Sequence, residues 1–204
     1  NNQYDAIAGF AAQYFRSGDE RWRGLMDDLS RHVVDIDVYH TVHDKPAYNG
    51  GMFWHTAHYA DAGRSSHRTY THGGPGGSGG PSSEHNYNTG LMLHYFMTGD
   101  VDARDAAVGL ADWVLAMDDG ERTSLKWLSR ASTGLASATG SFSYHGPGRG
   151  PGNSIVALLN ACRLTGDAKY LLKAEELIRR CVHPQQDLEA LDLLNAEIRW
   201  YYTV

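Results

Sequence analysis

The chain has 204 residues, enough for one domain with a sizeable core, and its 42% hydrophobic and 21% charged content is ordinary for a globular protein. A net charge of −6 and an isoelectric point near 6.0 argue against nucleic acid or an anionic membrane as the main partner. No apolar run approaches the roughly 20 residues that span a bilayer, no signal peptide opens the chain, and the start at Asn1 rather than Met leads us to expect a processed or partial sequence.

The first periodic segment, AIAGFAAQYFRSGDERWRGLMDDLSRHVVD, reads as two helices joined at Gly18-Asp19. Glycine supplies the left-handed position that ends one helix, and aspartate caps the amides of the next. Leu25, Met26 and Leu29 recur at helical spacing and predict a core-facing stripe. Trp22 follows the Asp by three positions, where two later segments carry Ala103 and Tyr170.

Residues 36–86 form a long connection, and within it His40 to Tyr87 holds seven of the eleven histidines. A segment this rich in proton-transfer and ring-stacking groups, set between helices, is where function is expected. The phrase GGMFWHTAHYADAGRSSHRTY puts His55, His58 and Tyr59 on one helical face with Trp54 nearby. Trp54 suits stacking on a pyranose ring, with histidines and arginines holding its polar substituents. Arg64 and Arg68 flank His67 and suit bidentate contact with a carboxylate. A divalent metal held by His55, His58 and either His67 or His85 is a weaker reading. The glutamate of H-E-x-x-H is absent and no cysteine is near, so no cofactor is expected to be required. The bland alternative is a histidine-aromatic layer that only braces the connection. HGGPGGSGGPSS is glycine-rich without G-x-x-x-x-G-K-[ST] and follows no strand, so it reads as a lid or packed turn, not a phosphate loop.

SSEHNYNTG follows, projecting Glu84, His85 and Tyr87 just before the next helix. His85 or Tyr87 is a candidate general base or acid. The alternative is a capping segment, with Ser82 or Ser83 and Asn86 satisfying orphan amides and His85 merely packed. The second helix pair, NTGLMLHYFMTGDVDARDAAVGLADWVLAMD, turns at Gly99-Asp100. A second long connection, 121–152, is again rich in Gly and Ser and carries Trp127, Tyr144, His145 and Arg149. The third pair, NSIVALLNACRLTGDAKYLLKAEELIRRCV, turns at Gly166-Asp167. Cys162 and Cys181 fall on its two arms, roughly 6 and 22 Å from the turn at 1.5 Å per residue. That is too far apart for a disulfide, and buried free thiols are expected.

The three turns are 81 and 67 residues apart. Short turns at one end and long connections at the other are the pattern of an (α/α) toroid. The expected fold is therefore all-α, a single partial toroid over 1–204, with the 36–86 and 121–152 loops forming a site on one face. LDLLNAEIRWYYTV reads as the start of a fourth pair. Open edges would then be covered by the rest of a longer chain, the favoured reading, or by a second copy.

The Gly-Asp-turned pairs, with FWHTAHYADAGRSSHRTY and SSEHNYNTGLMLHYFMTGD, resemble the toroidal domain of carbohydrate-active enzymes, closest to the exo-rhamnogalacturonan lyase-like polysaccharide lyases. The resemblance covers most of the chain. It implies β-elimination on an acidic polysaccharide or oligosaccharide, and an extracellular or periplasmic setting. Arg64 or Arg68 would neutralise the uronate and His85 or Tyr87 would take the C5 proton. His55, His58 or His145 would protonate the leaving oxygen. Trp54 would stack on the sugar, with Tyr59, His67, Glu84 and Arg149 as further binding groups. A toroidal glycoside hydrolase using Glu84 and Asp61 is the alternative enzyme. A non-catalytic glycan-binding scaffold, dependent on Trp54 or Tyr59 and not on the histidines, is the alternative from another class.

Overall fold

The computed structural model describes residues 2, 4–43, 48–53, 81–121, 127–128 and 148–181. Among these the chain is all-helical. The helices are α1 (Ala6–Ser17), α2 (Glu20–His32), α3 (Thr89–Thr98), α4 (Val101–Asp118), α5 (Arg149–Thr165) and α6 (Ala168–Cys181). A π-helical turn, Val33–Asp37, extends α2, and a 3-10 turn, Ser83–His85, precedes α3. The described residues hold one isolated bridge, Val38 to Met52, and no strand.

Local chemistry fixes where these helices stop and start. Gly18, Gly99 and Gly166 are left-handed, at φ 66°, 75° and 72°. Their N–H groups return to the carbonyls of Tyr14, Tyr95 and Cys162. Asp19, Asp100 and Asp167 then accept from the backbone N–H of Arg21, Asp102 and Lys169 at 3.0, 3.0 and 2.9 Å. The residue before each glycine has a part that the sequence reading did not assign. Ser17, Thr98 and Thr165 each donate a 2.7 Å hydrogen bond to the carbonyl four residues back. The same hydroxyls accept from the N–H of Asp19, Asp100 and Asp167. One hydroxyl thus satisfies a C-terminal carbonyl and a turn amide together.

Within each pair the two helices pack on one another, α1 on α2, α3 on α4 and α5 on α6. Between pairs, α4 packs on α5 and α1 on α3, while α2 also touches α3 and α3 touches α5. Helix α3 therefore has α1, α2, α4 and α5 around it. That explains TGLMLHYFMT, which is apolar nearly all round where an exposed helix would be amphipathic. One core cluster joins Ile7, Met26, Leu91 and Leu110 across α1 to α4. Another joins Trp113, Leu158, Tyr170 and Leu177 across α4 to α6.

Three expectations need correcting. Leu25 is 47% exposed, and α2 buries Met26 and Ser30, followed by Val33, with Leu29 only partly covered. The stripe is rotated away from Leu25. In addition, α5 begins at Arg149, so the last four residues of the expected 121–152 loop are helical. Glycine and proline made GPGRGPG read as loop. Pro151, however, lies in the first turn, where backbone N–H groups have no intrahelical acceptor to lose. Cys162 and Cys181 are free, as expected, but partly buried where full burial was expected.

Polar ties fix the seams between pairs. The Asn88 amide donates to the carbonyls of Ala107 on α4 and Ala157 on α5, at 2.9 and 3.1 Å. Its oxygen accepts from Asn160 at 2.9 Å. Asn86 donates to the Leu110 carbonyl at 3.1 Å. At the far end of α4, the buried Asp118 carboxylate receives Arg180 at 2.9 and 3.1 Å and Lys173 at 3.1 Å, joining α6 to α4. An ion pair this buried needs both partners, because losing one leaves an uncompensated charge.

Candidate functional site

The segment leading into α3 gathers the chemistry. Ser82 opens the 3-10 turn by accepting from the Glu84 N–H at 3.3 Å. After the turn, Asn86 and Asn88 point inward to the bonds described above, so His85 and Tyr87 alternate away from them. The Tyr87 hydroxyl donates to the Glu84 carbonyl at 3.3 Å and lies 3.2 Å from His85 Nδ1. Asn153, on the second turn of α5, donates to the same Glu84 carbonyl at 2.7 Å. Arg149, one turn earlier, places Nη2 at 3.4 Å from Glu84 Oε2.

The turn just before α1 supplies a residue that sequence reasoning missed. The Tyr4 ring packs edge-on to His85, centroids 5.9 Å apart, and tilted against Tyr87 at 6.4 Å, while remaining 51% exposed. A signal for it existed: Tyr4 and His85 each stand 14 residues before their turn glycine. Its position depends on the approach of α1 to α3 at Gly90. A Cβ on Gly90 would meet Ile7 Cβ and come within 2.6 Å of Ala8 N and Asp5 Oδ1. Tyr4 and Asp5 are both left-handed, at φ 56° and 54°. The Asp5 carboxylate holds them by accepting from Gly90 N at 3.1 and 3.2 Å, from Ala8 N at 3.4 Å and from Asn2 at 3.2 Å.

A cleft of about 250 Å³ opens here, lined by Tyr4, Asn86, Tyr87, Thr89, Asn153 and Val156 among others. Tyr87 thus faces the cleft, with the buried His85 bonded behind it. Burial pushes the Tyr87 phenol above its ordinary value of 10.0, against a smaller lowering by the Arg149 charge, so the hydroxyl is protonated at neutral pH. Burial also pushes the Asp5 carboxyl up from 3.8, outweighing the hydrogen bonds it accepts.

A larger groove of about 880 Å³ lies between the end of α2 and α4. Asp35, Asp100, Asp102 and Asp105 line it together with Arg31, His32 and His40, and none of the expected site residues is there. We therefore regard the smaller cleft as the candidate site.

Of the expected site residues, Glu84, His85, Tyr87 and Arg149 come together. Trp54, His55, His58, Tyr59, Arg64, His67, Arg68 and His145 lie outside the described residues, as does Asp61. The capping alternative for SSEHNYNTG is half right. Ser82 caps and His85 is buried, but Asn86 serves a carbonyl of α4 and not an amide. Among the described residues no group of three or more His, Cys, Asp or Glu could hold a metal ion, and no helix is long and apolar enough to cross a membrane. No family model, curated protein or solved structure matches the chain.

Proposed function

We propose that the chain is part of a carbohydrate-active enzyme, a polysaccharide lyase that cleaves a uronate-containing polymer by β-elimination. The observation that carries this is the Tyr87–His85 pair at a cleft whose nearby cation is Arg149. Elimination needs a base at C5, a positive group to stabilise charge on the C6 carboxylate, and a proton for the leaving oxygen. In this reading the phenol proton turns from the Glu84 carbonyl to His85 Nδ1, 3.2 Å away, and Tyr87 Oη takes the C5 proton as its own passes to that nitrogen. The C5–H electron pair becomes the C4–C5 double bond, and the C4–O bond breaks. A phenol held protonated by burial is a poor base alone, which is why His85 behind it matters. The leaving oxygen draws its proton from His55, His58 or His145, and Arg64 or Arg68 assists Arg149 at the carboxylate.

Support for a toroid comes from the packing order. Helices α1, α3 and α5 neighbour one another in sequence, with α2 and α4 each reaching the next pair. Leu171, Leu172 and Ile178 on α6 are exposed, in keeping with a further part of a longer chain, or a second copy, lying against it. The exposed Tyr4 ring favours a second reading, a glycan-binding scaffold, because a ring open to the cleft can stack on a sugar without any chemistry.

Near-ultraviolet absorbance of the unsaturated product, measured over a panel of pectic and other uronate polymers, tests the proposal. A rise that His85→Ala abolishes is expected. New reducing ends without absorbance would move the reading to hydrolysis, and binding without either product would leave the scaffold.

A further inference from the structure

Arg149 is an under-used cation. Its Nε is buried and has no hydrogen-bond partner among the described residues, and Nη2 reaches Glu84 only at 3.4 Å. Charge-assisted bonds of this kind are normally near 2.7–2.9 Å, and a guanidinium can present two parallel donors to one carboxylate. Glu84 supplies a single long contact. Its main chain is fixed, because the carbonyl accepts from both Asn153 and Tyr87. The carboxylate beyond is 42% exposed and has no other recorded partner among the described residues, so it can turn to water without disturbing that anchor.

We infer that Glu84 is a gate beside the candidate cleft, next to Tyr87 and Asn153 of its lining: its carboxylate occupies Arg149 and gives way to the carboxylate of an acidic sugar. This rests on the uronate reading above and adds a specificity rule to it. A neutral sugar has no group to take over the guanidinium and leaves the Glu84 contact in place. A uronate exchanges one long contact for a bidentate pair, and the displaced Glu84 is rehydrated. Glu84 thus acts against neutral ligands at the cost of some affinity for acidic ones.

Calorimetric binding of trigalacturonate, with its methyl ester as the uncharged control, tests the gate in the whole chain. Glu84→Gln is expected to bind trigalacturonate about two- to fivefold more tightly, the range for removing a competing, partly exposed ion pair. Binding of the ester should not change. Glu84→Asp, too short to reach Arg149 from the same backbone, should behave like Glu84→Gln, and Arg149→Gln should lose the preference for acid over ester. Equal or weaker binding by Glu84→Gln would overturn the gate, as would equal tightening toward the ester. If trigalacturonate binds neither wild type nor variants, the gate falls together with the acidic-sugar reading. Binding is read without turnover, so tightening on Glu84→Gln stands even where no unsaturated product forms, and that result would count against elimination alone.

Discussion

Two histidines, His85 just before α3 and His94 inside it, sit in opposite kinds of surroundings. His94 Nε2 is 3.1 Å from Asp27 on α2, and Nδ1 faces Asp100 of the turn at 3.7 Å. Carboxylates flank it on both sides, the ring is buried, and the elements it joins are α2, α3 and the α3–α4 turn. His85 has two tyrosine rings edge-on beside it, a phenol on Nδ1, and a cleft on the far side of that phenol. The first environment ties helices together. The second sets a phenol between the ring and a cavity. A histidine in a helical protein is a structural pin or a chemical group according to what its partners face, and these two differ in whether a solvent-accessible atom lies one bond further out.

The strongest way to break the comparison is at Tyr87. If the pair transfers a proton, Tyr87→Phe should lower turnover by about 10²- to 10⁴-fold, the usual weight of a positioned acid or base. Thermal midpoint should move little, since the ring remains. Equal activity in Tyr87→Phe would make the His85 end as structural as the other. His94→Ala should do the reverse. It removes a buried ring and leaves Asp27 only its longer contact with Arg23, so a loss of about 2–3 kcal/mol in denaturant unfolding is expected, from the cavity and the broken hydrogen bond together. Sugar binding at the cleft should be unaffected.

How much of this was legible depended on range. The Gly-Asp turns are local, and their capping chemistry stands in three short stretches of sequence. His85, Tyr87, Glu84 and Arg149 were identifiable by residue type. Tyr4 was marked only by its shared distance with His85 from the turn glycine, because its place is made by α1 closing on α3 over Gly90, a contact between residues more than 80 positions apart. The start of α5 was hidden for a different reason: glycine and proline lower helix propensity, yet a first turn tolerates both. Leu25 misled because apolar spacing defines a stripe only to within the width of one side chain, and neighbouring helices choose its centre.

The smallest expected effect concerns Asp5, which ties the Tyr4 end to α3. Its carboxyl is raised from 3.8 by burial, so folding favours its protonated form. Its contribution to stability is fully present below pH 3.8 and is lost as pH rises through the folded value. Asp5→Asn keeps an acceptor and removes the proton. Wild type should therefore lose stability relative to Asp5→Asn as pH climbs from below 3.8 past the raised value, with a flat difference on either side. An opposite slope would mean that the bonds from Gly90, Ala8 and Asn2 outweigh burial.

Asn88 couples the site mechanically to its frame. One amide group holds a carbonyl of α4 and a carbonyl of α5, and its backbone is joined by one peptide bond to Tyr87. The spacing of α4 and α5 and the anchoring of the segment that carries Tyr87 therefore share one buried side chain.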